Sequence, residues 1–319
     1  MTISPLTTPN YGVDLITFFS PTFWGLSRDE EVAALAQSAP KRFWNTVLDA
    51  LQKAEITEIE MTFSPADRES ALAAYGSTGA FARELADRGM RVVSSYFSSI
   101  EDADDVAHPA TREKILNEAE AEAAFLAELG ATVLVTGLPM RRNNATGTGL
   151  DPVSLATVLP LVELVHEVGA ITARHGVTVA LHTESHSVFW TPRDIDLFLL
   201  LTDPFLVSFC PDTGHIVLGG GDPVAILHRH RERVVMAHWK DATGPFTEKV
   251  NVDAGIFARH RDYFRAAGQG VVDWCAFAQA LAEAGYSGGI MIELDAAPDP
   301  VAELITARNF FEKTLAGIV

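Results

Sequence analysis

Four stretches, VTVALHTESH (residues 177–186), LVSFCPDTGH (206–215), RVVMAHWKD (233–241) and GIMIELD (289–295), each run from an apolar, β-rich segment into a chemically reactive side chain. In order those side chains are Glu184, Asp212, His238 and Glu293. Each run is followed by a loop and then a helical pattern, as parallel strands joined by crossover helices require. Parallel strands of a closed barrel deliver the residues at their carboxyl ends to one mouth, so the four side chains are expected to converge. Unpaired carboxylates are costly to bury, which makes four such donors on consecutive strands hard to explain as packing. Three carboxylates and an imidazole are hard oxygen and borderline nitrogen donors. The expected cofactor is therefore one divalent cation, Mn²⁺ first, with Mg²⁺ and Zn²⁺ as alternatives. The strand-five donor stays open, because His182, Glu184 and His186 share one strand face at period two if the strand persists. Glu184 is favoured there, and His182 is the substitute.

Outward from these stretches the same unit recurs. Strands are expected at 12–18, 56–62, 91–97, 132–136, 177–182, 206–210, 233–238 and 289–293. Helices are expected at 42–53, 66–88, 111–129, 152–174, 192–201, 223–230, 274–284 and 300–315. Eight of each, with continuous rather than alternating hydrophobicity in the strands, is the pattern of an α/β chain folded as a (β/α)₈ TIM barrel. One domain over residues 1–319 accommodates it. Prolines in "SPADRES", "TPRD", "GDP" and "DPV" mark helix starts, and glycines in "LADRGM", "LAELGA" and "LAEAGY" mark helix ends. Three long connections, 19–40, 137–151 and 241–272, all follow strands and so extend the carboxyl-end mouth.

A chain of 319 residues with 48% hydrophobic content buries a large core, and its formal net charge of −18 argues against nucleic acid or an anionic membrane as partner. That acidity opposes a nuclease reading of the same barrel as well. The opening "MTISPLTTPNYG" has neither a basic nor an apolar leader region, so a cytoplasmic location is expected. Two cysteines without a C-x-x-C spacing read as reduced structural thiols. Beyond the four donors, Glu60 at the end of strand two is a candidate substrate contact or a core salt-bridge member. Arg141 in the fourth loop is a candidate phosphate contact, and Trp24, with Phe19 and Phe23, is a candidate wall for a ring-shaped ligand or a packing residue.

The segments "DTGHIVLGGGDP" (212–223), "AHWKD" (237–241) and "GQGVVDWCAFAQALAEAGYSGGIMIELD" (268–295) resemble the xylose-isomerase-like sugar isomerase/epimerase superfamily, especially its inosose dehydratase branch. The resemblance implies metal ligation by Glu184, Asp212, His238 and Glu293, with His215 of the Asp-x-x-His pattern holding a substrate hydroxyl. "HTESH" departs from the branch's usual Glu-x-His or His-x-His. The opening "YGVDLITFFSPTFWGL" (11–26) and the histidine-rich fifth strand resemble, more faintly, the α subunits of bacterial C-glycoside deglycosidases, which act on 3-keto-glycosides with a smaller β subunit.

Both branches imply removal of a proton α to a sugar carbonyl, followed by expulsion of a β-substituent in a lyase or by reprotonation in an isomerase or 3-epimerase. The base expected is His186 if Glu184 is occupied by metal, or Glu184 or Glu293 if an oxygen stays free. Lys240 would stabilise the oxyanion or protonate a leaving group, or else pair with Asp241 or another carboxylate. His182 and His215 are further substrate contacts. The expected partner is a small keto-sugar or glycoside bound to an oligomer, with a non-catalytic binding module as the rival class.

Overall fold

The computed structural model describes residues 10–146 and 149–318. Eight parallel strands form its centre: β1 Tyr11–Asp14, β2 Glu58–Met61, β3 Arg91–Tyr96, β4 Val133–Thr136, β5 Thr178–His182, β6 Val207–Cys210, β7 His238–Trp239 and β8 Ile290–Ile292. They pair in the order β6-β5-β4-β3-β2-β1-β8-β7. Single parallel bridges, Phe209 to Val234 and Asp212 to His238, join the two ends and close the barrel. Every residue of β1, β2, β4 and β6 is buried, as expected of a parallel sheet covered on both faces. The surrounding helices each turn one stripe inward. Pro40–Ala54, for example, buries Phe43, Trp44, Val47, Leu48 and Leu51.

The strands are shorter than the hydrophobic runs suggest, and the reasons are local. After Asp14 the chain turns into a 3₁₀ helix, Leu15–Phe18, because the Asp14 carboxylate accepts the Ile16 N–H at 2.8 Å. Before β7, Arg231–Arg233 is itself a 3₁₀ turn, and the Arg233 guanidinium donates to the Leu199 and Val207 carbonyls. The helix expected over 66–88 is two helices, Arg68–Tyr75 and Thr78–Asp87. Gly76 breaks it at φ +81°, and Ser77 caps the second piece by accepting from Ala80 N–H. The connection after β1 holds a helix, Asp29–Ser38. Among the described helices, Leu155–Ala173 is long and apolar enough to cross a membrane; it packs against β5, β6 and two neighbouring helices.

The insertion after β7 is fastened across the mouth. Asp241–Ala242 pairs antiparallel with Phe264–Arg265, and a short helix, Ile256–Arg261, lies between them. The Asp241 carboxylate accepts the N–H groups of Gly268 (2.8 Å) and Gly270 (3.0 Å) and the Trp274 indole N–H (3.2 Å). Asp241 therefore organises this loop and leaves Lys240 to other partners.

Candidate active site at the carboxyl-end mouth

β5 ends at His182, and the next residues leave the strand path. Ser187 N–H donates back to the Glu184 carbonyl at 3.1 Å, and His186 adopts φ +67°. The period-two argument linking His182, Glu184 and His186 stops at this turn. The His182 ring, Asp212, His238 and Glu293 are consequently the set whose donor atoms all lie within 4.8 Å of one another. Glu184 is not in that set. It lines the adjoining cavity, with Oε2 at 3.3 Å from His215 Nε2.

Asp212, His238 and Glu293 are held from behind. Asp212 caps the helix Thr213–Leu218, its Oδ1 accepting the His215 N–H at 2.8 Å, which leaves Oδ2 facing the cluster. Thr183 Oγ1 accepts the Asp212 N–H at 2.9 Å. His238 lies between two carboxylates, Nε2 at 2.8 Å from Glu60 Oε1 and Nδ1 at 2.6 Å from Glu293 Oε2. Ser94 Oγ donates to the other Glu60 oxygen at 2.6 Å, and Asp14 adds a third carboxylate on that side of His238. Glu60 thus stands behind the imidazole.

Burial and charge set the protonation tendencies. Burial pushes the Asp212 carboxyl well above its ordinary range, against the pull of the Lys240 ammonium. Burial raises Glu184 as well, reinforced by Glu101. In Glu293 burial is outweighed by Lys240 and His238, and the carboxylate is held well below its ordinary value. Lys240 is fully enclosed, donating to Glu293 Oε1 at 2.5 Å and to Asp295 Oδ1 at 2.9 Å. It serves as counter-ion to the acidic floor.

Whether these residues suit a cation can be judged from their unmet bonding. Both ring nitrogens of His182 and of His238, Asp212 Oδ2 and Glu293 Oε2 are buried without a properly oriented hydrogen bond. One donor atom from each of the four residues lies within 4.8 Å of the others, and burying such atoms without hydrogen bonds is a large uncompensated desolvation unless a cation takes them up. The group fits a divalent ion, with two imidazoles and two carboxylates replacing the one-imidazole set read from the sequence.

The cavity above the cluster has a volume of about 830 Å³ and is lined by Asp14, Tyr96, Glu101, Glu184, His260 and Asp295, among others. Of the residues expected to bind substrate, His182 and His215 line it. Trp24 does not: it stacks on Phe43 at 4.9 Å and donates its indole N–H to the Phe18 carbonyl at 2.8 Å. Its neighbour Phe19 faces the cavity instead, edge-on to Phe63 at 5.5 Å. Arg141 is bonded to Asp194 and to the Ser187 carbonyl, away from the cavity lining. His186 is also one layer back, stacked on Trp190 at 4.2 Å, its Nδ1 at 2.8 Å from His260 Nε2. Burial and Arg141 push His186 down to about 4, and burial and His186 push His260 down to about 3. Both rings are therefore neutral, and His260 is the one at the cavity surface.

Sequence reading missed Asp14, Tyr96, Glu101, His260 and Asp295. Asp295 had a usable signal, standing two residues beyond Glu293; the helix carrying His260, "IFARHR", reads as a solvated basic face.

A closed parallel barrel with a buried imidazole–carboxylate cluster in its carboxyl-end mouth has the layout of a barrel enzyme. The chain belongs to the Xylose isomerase-like TIM barrel family, whose profile matches residues 48–314. It is 27% identical over 250 residues to an inosose dehydratase of Bacillus licheniformis, an alignment covering 74% of this chain and 80% of that one. The fold is shared with the IOLI protein solved with a binding zinc atom (TM-score 0.70, 14% identity, 97% and 99% of the two chains covered). It is shared also with a Xylose isomerase-like TIM barrel protein from Mycobacterium smegmatis in complex with magnesium (TM-score 0.69, 17% identity, 99% of each chain).

Proposed function

We propose that this protein is a divalent-metal-dependent lyase that enolises a cyclic keto-polyol or keto-glycoside and expels a β-substituent. The observation that carries the reading is the meeting of His182, Asp212, His238 and Glu293, with their unpartnered donor atoms, beside Glu184, whose Oε1 is likewise buried and unpartnered. The bound cation would supply Lewis acidity toward a carbonyl and an adjacent hydroxyl. A donor set of two nitrogens and two oxygens favours Mn²⁺ or Zn²⁺ over Mg²⁺.

The chain's own residues divide the remaining work. Glu184 is the base: it faces the cavity, is made more basic by burial, and keeps one oxygen free of hydrogen bonds, with His260 Nδ1 3.8 Å away. His215 orients it. The Ser185 N–H donates to His215 Nδ1 at 3.0 Å, and His215 Nε2 lies 3.3 Å from Glu184 Oε2 and 3.0 Å from Lys240 Nζ, which fixes the ring between the base and the ammonium. Lys240 keeps Glu293 ionised. The many carboxylates lining the cavity, and the engagement of Arg141 elsewhere, favour a neutral sugar over a phosphorylated one. Support for elimination over isomerisation comes from the similarity to an inosose dehydratase. The smaller second subunit of a C-glycoside deglycosidase and a cytoplasmic setting belong to the same reading.

The test is incubation of protein loaded with Mn²⁺, Zn²⁺ or Mg²⁺ in D₂O with an inosose and with a 3-keto-glucoside. Deuterium at the carbon α to the carbonyl, together with an enone product, is expected. Turnover that survives complete chelation, or isomerisation of ketoses without enone, would overturn the reading.

A further inference from the structure

Beside the cluster, the cavity wall carries a carboxyl group that the mechanism above does not use. Glu101 follows β3 and accepts a hydrogen bond from the Tyr96 hydroxyl at 2.6 Å. The Tyr96 ring stands edge-on to His182 at 5.4 Å, so the pair abuts the cluster. Both residues line the cavity. Among the described residues Glu101 has no ion-pair partner, whereas the neighbouring Glu122 is paired with Arg68 at 3.2 Å. The pair is closely fitted to the end of β4: a Cβ on Gly137 would overlap both the Tyr96 hydroxyl and the Glu101 carboxylate.

We propose that Glu101, positioned by Tyr96, is the general acid that protonates the departing β-substituent. The assignment rests on the elimination reading given above. Glu184 takes the proton from the α-carbon, and the C–H electron pair becomes the carbon–carbon double bond of an enolate. When the carbonyl re-forms, that pair shifts to make the α,β double bond, and the β-carbon–oxygen bond breaks with its electrons on the leaving oxygen. Glu101 transfers its proton to that oxygen, so the net change is an enone plus the neutral leaving molecule. Solvent later carries the proton from Glu184 back to Glu101. Because the Tyr96 hydroxyl occupies Oε2, the transferable proton sits on Oε1.

The electrostatics agree with this role. Burial pushes the Glu101 carboxyl up to about 7, opposed by the Tyr96 hydrogen bond and reinforced by Asp102. The charged and titratable groups facing it are Asp102 on its own loop, Tyr96 on β3, and Glu184 beyond β5. Tyr96 itself is held protonated, raised first by burial and then by Glu101. No cation among these groups would draw the proton off.

Glu101→Gln separates this proposal from a structural role. The variant is compared with wild type on the ring that wild type enolises, inosose or 3-keto-glucoside, with a poor leaving group (hydroxide or methoxide) and a good one (fluoride or 4-nitrophenolate). With the poor leaving group elimination should fall about 10²- to 10⁴-fold, the usual worth of a general acid. With the good one the fall should be under about tenfold, and α-deuterium exchange should persist, which also reports an intact fold. The wild-type decline in elimination as pH rises through about 7 should disappear in the variant. Tyr96→Phe removes the hydrogen bond that holds the Glu101 value down, so it should raise the pH at which that decline occurs or weaken the leaving-group dependence. Equal losses with both leaving groups, or loss of exchange in step with elimination, would overturn the assignment. Absence of exchange in the wild type would overturn the elimination reading, and this assignment with it.

Discussion

Strands β5 to β8 end in side chains that meet at the barrel axis, whereas β1 to β4 contribute supports and walls. His182, Asp212, His238 and Glu293 lie on or just beyond their strands and converge within 4.8 Å. On the other side Asp14 ends β1 and Glu60 lies on β2, both behind His238, and Tyr96 ends β3 beside a loop carboxyl, Glu101. The half that gathers charge is compensated by Lys240 and by its fit to a cation. The half that forms the wall keeps a carboxyl without a counter-ion. The same residue type, Glu, is therefore held ionised at 293 and pushed toward its neutral form at 101. Separating an acid from a base across one cavity needs that asymmetry.

The largest effects should come from breaking the cluster half, and two variants of β5 and its turn divide binding from chemistry. His182→Ala should strip the metal, seen as metal content near zero after gel filtration, and activity should fall below detection. Glu184→Gln should keep the metal and lose about 10²- to 10⁴-fold in turnover and in α-proton exchange. Metal lost from the Glu184 variant and kept in the His182 variant would reverse the assignment and restore the sequence-based ligand set.

How much of this was legible differs between the halves for a physical reason. Asp212, His238 and Glu293 could be read because hydrophobic runs announce strands, and a polar residue closing such a run must face the mouth. The end of β5 at His182 matches the expected 177–182, but the path of the chain beyond it could not be read. The turn that lifts Glu184 depends on a positive φ at His186 and a main-chain bond from Ser187, neither of which leaves a hydrophobic pattern. Glu101 and His260 were hidden for the opposite reason: they sit in polar loop and short-helix sequence, and the barrel's curvature and the Asp241-anchored insertion bring them inward. The eight-fold strand count, by contrast, survives every shortening at the strand ends, because core burial sets the number of strands while local capping sets their length.

A medium-sized effect sharpens the contrast from the wall side through stability. The folded-state value of Glu101 is raised from 4.5 to about 7, so the native protein holds a proton there that the unfolded chain has released. Its contribution is fully present below about 4.5 and is lost as pH rises through about 7. Glu101→Gln mimics the protonated form at every pH. The variant should match wild type at pH 5 and exceed it at pH 8 by on the order of 1–3 kcal/mol, in urea unfolding followed by circular dichroism. A variant equally or less stable than wild type at pH 8 would mean that Glu101 is not strained by its burial.

The smallest effect concerns the aromatic loop after β1, which the sequence offered as a ligand wall. The loop divides its aromatic residues between two jobs. Phe19 faces the cavity, while Trp24 stacks on Phe43 and satisfies the Phe18 carbonyl, which pins the backbone beside Phe19. Trp24→Phe keeps an aromatic ring against Phe43 and removes the indole donor, leaving one carbonyl without its partner. The expected cost is about 1 kcal/mol of stability, the net worth of one such bond, with kcat and KM unchanged within about twofold. Phe19→Ala should do the reverse, raising KM while thermal stability shifts little, because that ring is partly exposed and packs edge-on against Phe63. A raised KM in the Trp24 variant with unaltered stability would return the indole to the ligand wall, and the supporting role of this half of the barrel would then extend one residue less far from the strand ends.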